Sequence, residues 1–464
     1  MLVPYIEEFP AKRSPWDVYR SIYKRSSVSF FLDSLSYRPP DQAFSYIGAE
    51  PFLEVSITGK THPRLCVKNG HRRHYPAGEI LPVLRGLFKK YRNPSKRKLP
   101  FFSGGAVGLW GYDMATLFEK VCHRPKPDPG LPRLHLGFFK DVIVFDHKRQ
   151  IYYLVTRDKT RGIRRLKDWM ARVGPRVPGR FRLNQFKPDI SKARFENMVR
   201  QARSYIRAGD IYQANLSQRF SFGFEGDPLK LYGKLREINP SPFASFFRAG
   251  DTQIISSSPE RLIRKRGRAC ETRPIAGTRP RRAPGKTQRQ LERDLLGSRK
   301  ERAEHIMLVD LERNDLGRVC DWKTVRVEEL MSLEKYSHVI HIASKITGRL
   351  RQGKDAFDLI ASMFPGGTIT GCPKVRCMEI IDELEPVRRG IYTGSIGYVD
   401  FNGDLDLNIV IRTLVLRRQK GYLQVGAGVV HDSRPHREFQ ETLHKGKALR
   451  KALLLAAHER ATSP

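Results

Sequence analysis

Residues 141–158, DVIVFDHKRQIYYLVTRD, set two runs of β-branched and aromatic residues on either side of a short polar turn. This is the pattern of an antiparallel hairpin, and it limits what the chain can fold into more than any other local feature. Comparable runs recur in YQANLSQRFSF, SFFRAG and TQIISSSPE. Residues 392–431 read as a three-strand meander, with an Asn-Gly turn at 402–403 and GYLQVGAGVV as its last strand. Helical patterns lie between these runs. GIRRLKDWMARV is one. Another is capped by Ser191, carries Phe195, Met198, Val199, Ala202, Tyr205 and Ile206 at i, i+3, i+4 spacing, and is stopped by Gly209. Strands and helices mix without regular β–α alternation, so the expected class is α+β with antiparallel sheets.

The chain has 464 residues, too many for one small core, so one large domain or two lobes are expected. GPRVPGRFRLNQFKP (174–188), rich in Pro, Gly and Arg, is the candidate boundary. It separates a strand-rich region, 1–175, from a second region, 188–458. No apolar run is long enough to span a bilayer, and the first twenty residues lack the pattern of an export signal. Six scattered cysteines, none in a CxxC, point to a reduced, cytoplasmic protein rather than a disulfide or zinc framework.

The formal net charge is +37. Residues 261–302 alone hold fifteen Lys or Arg against four acids. Nucleic-acid binding is one reading of such a balance. Basic residues recur along the whole chain, however, and no zinc-finger or RNP-type spacing accompanies them, so a generally arginine-rich surface is favoured. No nucleic-acid partner is expected. The field still favours anionic substrates and an acidic partner.

Against that background two glutamate pairs stand out. Glu438 and Glu441 are three apart, with Lys445 four further on; Glu301 and Glu304 repeat the spacing just before Ile306, Met307, Leu308 and Val309. One reading is a solvated helix face with a Glu→Lys pair. The other sets both pairs around one cation, because four carboxylates on two half-buried helices repel unless a cation lies between them. Oxygen-only ligands indicate a hard ion such as Mg²⁺.

Longer motifs carry a resemblance. GGAVGLWGYD (104–113), AGDIYQANLSQRF (208–220), SSSPERL (256–262), RPIAGTRPR (273–281) and AEHIMLVDLERNDLGRV (303–319) occur in order. They are followed by SHVIHIASKITG, PGGTITGCPK, GSIGYVDFNGDLDLNIVIRT, GAGVV and EFQETLHK. Together they resemble the chorismate-utilizing enzyme family, which includes anthranilate, aminodeoxychorismate, isochorismate and salicylate synthases. The resemblance implies a two-lobed α+β sandwich of large antiparallel sheets flanked by helices, with chorismate bound in a cleft. By the same resemblance Glu304 and Glu441 are direct Mg²⁺ ligands, and Glu301 and Glu438 hold metal-bound waters. Arg412 and Lys445 neutralise substrate carboxylates, and Gly428 allows a close backbone approach. His341 and Thr368 contact the ring and its departing hydroxyl. Thr278, in the PIAGT word, falls among the substrate-contacting positions, and Glu260 is the general acid/base that assists loss of the C4 hydroxyl. The residues alone allow plainer readings: His341 as a satisfied core histidine, Thr368 as a turn former, Asp310 and Asp315 as caps or ion-pair partners, Cys372 and Cys377 as small packing residues.

Two positions bear on the reaction. The water-adding members resemble one another in a lysine base near position 213, where this chain has Gln213; an amide cannot deprotonate water, so ammonia is the expected nucleophile. Some aminodeoxychorismate synthases carry PIKGT, whose lysine attacks the ring. Here the residue is Ala276, which has no nucleophile and matches the usual anthranilate synthase form, although other aminodeoxychorismate synthases also resemble the Ala form. The words GDIYQANLSQRF and GSIGYVDFNGDLDLNIVIRTL resemble the aminodeoxychorismate branch more closely. The expected activity is therefore that of aminodeoxychorismate synthase component I, with anthranilate synthase component I as the alternative. No amidotransferase triad pattern is evident, so ammonia is expected from a separate glutamine amidotransferase subunit. FFLDS (30–34) resembles a segment that lines a tryptophan pocket in relatives, with Leu32 and Ser34 as contacts, and equally reads as an edge strand and turn. The arginine-rich 279–300 segment is a candidate mobile lid, with its tip at 281–288.

Overall fold

The computed structural model describes residues 3–35, 44–59, 64–92, 99–121, 126, 130–173, 181–281, 285, 287–335 and 339–458. Two twelve-stranded sheets pack face to face, and every pairing between their strands is antiparallel. The period-two alternation of the sequence shows how the sandwich is made. In the strand Val28–Asp33, Phe30 joins the cluster between the sheets and Phe31 the cluster under the outer helices. Phe247 and Ile254 point inward, while their neighbours Phe246 and Ile255 point outward. Helices cover both outer faces, which gives the expected α+β sandwich.

The 141–158 hairpin forms as read, with Val142–Asp146 paired to Ile151–Thr156. The helix Lys192–Arg207 is capped by Ser191, whose Oγ accepts from the Arg194 amide at 3.2 Å. Gly209 follows it with φ +83°, a conformation glycine adopts without strain.

Three expectations change. The 392–431 stretch is not one meander. Ser395–Asp400 and Leu405–Asn408 pair in the second sheet, whereas Thr413–Arg417 and Lys420–Val429 pair in the first. The chain crosses between sheets at 409–412, and Arg412 takes φ 51° at the corner. The apolar run LNIVIRTLVL is buried on both sides of that corner, so its pattern does not reveal the break. Second, a boundary at 174–188 would leave both sheets incomplete, since each takes strands from before and after it, and Arg182–Pro188 pairs onto Gln213–Glu225. Residues 174–180 lie outside the described residues. Third, Val28–Asp33 is an interior strand between Phe44–Ala49 and Phe243–Ala249, not an edge.

Candidate functional site

The two glutamate pairs ride on two helices. Arg299–Gly317 starts at Ser298, whose Oγ accepts from the Glu301 amide at 3.3 Å. Its buried stripe runs His305, Leu308, Val309, Glu312, which leaves Glu301 and Glu304 at the stripe's edge and Ile306 exposed, in keeping with a half-buried helix. Pro435–His458 buries Glu438, Thr442, Gly446 and Leu449 against the Lys420–Val429 strand and neighbouring helices.

The pairs feel each other. Burial raises the Glu304 carboxyl above its ordinary range, and the charges of Glu301 and Glu441 raise it further. Burial also raises Glu438, with Glu441 adding to the effect. Each of the other carboxylates leans on a cation of its own: Arg279 to Glu301 at 3.1 Å, Lys300 to Glu304 at 3.6 Å and Lys445 to Glu441 at 2.8 Å. Among the described residues no three His, Cys, Asp or Glu side chains already form a metal cage. An oxygen-only, mutually repelling donor set still fits a hard divalent ion. Mg²⁺ needs one or two protein carboxylates and completes its shell with water and substrate oxygens.

Glu260 lies at the end of the Thr252–Ser258 strand, buried, with its carboxyl accepting from the Ile275 amide at 3.4 Å. Burial pushes its pKa to about 7. The Thr368 hydroxyl and the charges of Arg412 and Lys445 pull in the other direction, which brings all three around this one group. Thr368 stands in a one-turn 3₁₀ segment, Gly367–Ile369, within PGGTITG. Lys445 also donates to the Gly426 carbonyl at 3.0 Å. His341, buried in the Val339–Arg349 strand, has its Nδ1 3.2 Å from the Gly277 carbonyl.

Gln213 begins the Gln213–Glu225 strand and is buried; its Oε1 has no hydrogen-bond partner. A Cβ at Gly428 would come within 3.0 Å of Gln213 Nε2, so glycine there keeps the amide in place. Ala276 lies opposite Ile342 in the Ile275–Pro280 strand, beside a bulge at Gly277 with φ +62°. A Cβ at Gly277 would meet Glu301 Oε2 at 2.8 Å, so this bulge abuts the first glutamate pair. Thr278 pairs with His341 along the strands, and its side chain lies outside the described residues. Of the lid tip, residues 282–284 and 286 are also outside them. The rest of that segment forms the helix Gln288–Leu296, anchored by Leu295 against Ile340 and Ile342.

Sequence reasoning missed the polar floor of this cleft. Glu312 is buried, accepts from the Thr272 hydroxyl at 3.0 Å and the Gly367 amide at 3.3 Å, and is pushed up to about 8 by burial and by Asp315. It therefore ties the glutamate helix to the turn that carries Thr368. Its signal was present, since 304, 308 and 312 share a helical face and a glutamate in a buried stripe needs a partner. Asp315 pairs with buried Lys374, in keeping with the ion-pair reading, and Asp310 pairs with Arg313 at 2.7 Å. Buried Arg389 and Glu385 pair at 2.8 Å, with Glu385 also accepting from the Ser217 amide. Tyr392, likewise unpredicted, packs its hydroxyl 2.7 Å from where a Gly426 Cβ would lie. His305 is structural, its Nε2 2.6 Å from Ser344 Oγ, and Cys377 packs in a core cluster. His338 lies outside the described residues.

A second cavity, of about 290 Å³, opens between the sheets. Leu32 and Ser34 line it together with Tyr46, Phe243, Tyr398 and Asn408. The first part of the dense basic stretch is tied into ion pairs: Arg261 pairs with Glu271 and Asp406, Arg264 with Glu271, and Arg273 with Glu329 and Glu334, whereas Arg281, Arg289, Arg293, Arg299 and Arg302 are exposed. The five described cysteines are free. Among the described residues no helix is long and apolar enough to cross a membrane.

Residues 32–451 match the model of a family described as chorismate binding enzyme. The chain is 41% identical to anthranilate synthase component 1 of Acetivibrio thermocellus, over 93% of this chain and 92% of that protein. It is 42% identical to aminodeoxychorismate synthase component 1 of Bacillus subtilis, over 90% of each. The crystal structure of anthranilate synthase component I from Streptococcus pneumoniae superposes with a TM-score of 0.77 at 35% identity, covering 89% of this chain and 93% of that one.

Proposed function

The chain belongs to the chorismate binding enzyme family, and from that membership we propose that it is aminodeoxychorismate synthase component I, joining chorismate and ammonia to give 4-amino-4-deoxychorismate for p-aminobenzoate and folate synthesis. The observation that carries this reading is the setting of Glu260. A buried carboxyl with a pKa of about 7 is half protonated near neutrality, so it can give a proton to a departing hydroxyl. Around it stand Thr368 to contact that hydroxyl and two cations, Arg412 and Lys445, for a substrate bearing two carboxylates. Arg412 offers a two-pronged contact and Lys445 a point charge. His341 and the Ile275–Pro280 strand with Ala276 and Thr278 close the ring side.

Glu304 and Glu441 would hold Mg²⁺ directly, with Glu301 and Glu438 behind its waters. The ion supplies countercharge for the ring carboxylate. Lys445 then passes from Glu441 to substrate, an exchange that costs little because the pair is half exposed. Gln213 supports ammonia as nucleophile. Its partnerless Oε1 is an acceptor suited to an N–H, and no base stands there to activate water. As hydroxide leaves with the Glu260 proton, the incoming nitrogen sheds one proton, and the balance is chorismate plus ammonia to aminodeoxychorismate plus water.

Ala276 favours the alternative, anthranilate synthase component I, in which ammonia adds at C2 and pyruvate leaves. The words around Gln213 and along 394–414 favour the first reading. In both, ammonia comes from a separate glutamine amidotransferase subunit in the cytoplasm, and free ammonium salts replace it in vitro. The cavity behind Leu32 and Ser34 contains the segment that resembles a tryptophan pocket, and no feedback inhibition is assigned to it.

Product analysis decides between the two. The purified chain is incubated with chorismate, Mg²⁺ and an ammonium salt. A product that added aminodeoxychorismate lyase turns into p-aminobenzoate supports the proposal; fluorescent anthranilate with free pyruvate replaces it with the alternative.

A further inference from the structure

On the outer side of the first sheet, far along the chain from every cleft residue, the helix Arg161–Ala171 and the turn after Pro15–Ile22 enclose a surface cavity of about 180 Å³. Five arginines line it: Arg25, Arg161, Arg164, Arg165 and Arg172. Two are held in place by acids, Arg25 by Glu50 at 3.3 Å and Arg165 by Asp141 at 2.9 Å. The other three form no ion pair with any described residue, and Asp168 is the one carboxylate in the lining.

A second observation points to a ligand. Trp169 also lines the cavity, is 1% exposed, and its indole N–H is buried with no acceptor among the described residues. The Nε–H of Arg165 is buried without an acceptor as well. Buried N–H groups are ordinarily paired, and an unpaired one asks for an explanation. Here two unpaired donors coincide with three guanidinium groups outside any ion pair, around one hollow whose lining holds five arginines and a single carboxylate. All the surplus is of one kind, N–H donors with positive charge, so the complement is an oxyanion. Arginine forks match the oxygens of phosphate, and donors arriving from several directions suit a tetrahedral group better than a flat carboxylate. The hollow, of about 180 Å³ and open to solvent, has room for one or two phosphate groups.

We propose that this cavity binds a small phosphate-bearing molecule, gripped by Arg161, Arg164 and Arg172 with the Trp169 indole N–H as a neutral donor. The site is separate from the cleft and does not depend on which product the cleft forms.

Titration calorimetry on the full chain tests it, with pyrophosphate and inorganic phosphate as probes in chloride buffer of matched ionic strength. The expected result is saturable binding, one probe per chain, tighter for pyrophosphate. It should weaken at least tenfold in an Arg164→Ala, Arg172→Ala double variant whose melting temperature and chorismate turnover are unchanged. Trp169→Phe keeps the ring and removes the donor, and is expected to weaken binding severalfold. No saturable heat, or equal affinity in the double variant, overturns the proposal. Binding of a single-stranded oligonucleotide across several chains, with pyrophosphate inert, would overturn it in favour of a polyanion surface.

Discussion

The cleft around Glu260 and the cavity behind Leu32 both hold charged groups, and they hold them differently. In the sandwich, Asp33 is buried and accepts from Arg236 at 2.7 Å, while Arg261, also buried, is shared between Glu271 and Asp406. Breaking such a pair strands a charge away from water at a cost of roughly 3–5 kcal/mol. At the two glutamate pairs the contacts are one-to-one and open, unlike the buried pairs beneath them: Lys445 and Glu441 are nearly half exposed, and Lys300 reaches Glu304 only at 3.6 Å. Exposed pairs contribute about 0–1 kcal/mol. The cleft can therefore hand its charges to a metal ion and an anionic substrate almost without penalty, whereas the cavity's charges are committed to the fold. That difference supports the proposal that the chemistry takes place at the cleft.

Removing a cleft glutamate should break the comparison most sharply. Glu304→Ala or Glu441→Ala is expected to lower chorismate turnover by roughly a hundredfold or more, because a metal ligand is lost, with the melting temperature little changed. Steady-state kinetics with a thermal melt checks both; normal turnover would remove these residues from the site. Arg412→Lys comes next. It keeps the charge and loses the fork, and a lost charge-assisted hydrogen bond of about 1.5–3 kcal/mol corresponds to roughly 10–100-fold, expected mainly in the KM for chorismate.

The pH dependence is a smaller effect but a sharper one. Glu260 must be protonated to act as an acid, and its pKa of about 7 means that form is lost as pH rises through neutrality. Free ammonia rises over the same range. With an ammonium salt as donor, the rate should climb to about pH 7 and then flatten, since the two trends cancel. A rate that keeps climbing tenfold per unit above pH 7 would exclude Glu260 as the acid. The smallest change is expected in the other hollow. Leu32→Phe has about 290 Å³ to fill, so it should neither overpack the fold nor alter chorismate turnover by more than about twofold.

The hairpin at 141–158, the Ser191 helix and the two glutamate pairs were legible because each is local: a turn, a cap or a three-residue spacing states its own structure. Thr368, Arg412 and Lys445 lie near Glu260, and Glu301 and Glu441 near Glu304, although no spacing along the chain joins Glu260 to Lys445. The misreadings share one cause. The break at 409–412 lies in a largely buried run with apolar residues on both sides of Arg412, and the interior position of Val28–Asp33 depends on a strand more than two hundred residues away. Glu312 showed a different limit. Its spacing placed it on the buried face, but its partners Thr272 and Gly367 come from other elements, and only the fold supplies them. The Leu32 cavity takes its walls from both sheets, so FFLDS by itself could suggest an edge as easily as a pocket.

The most direct measurement is a crystal structure of the Glu260→Gln chain with chorismate and Mg²⁺, the substitution slowing turnover while keeping the shape of the cleft. The account predicts the chorismate ring beside Gln at position 260 and Thr368, its carboxylates toward Arg412 and Lys445, and a metal ion at Glu304 and Glu441. Chorismate in the cavity behind Leu32, with the cleft empty, would contradict it.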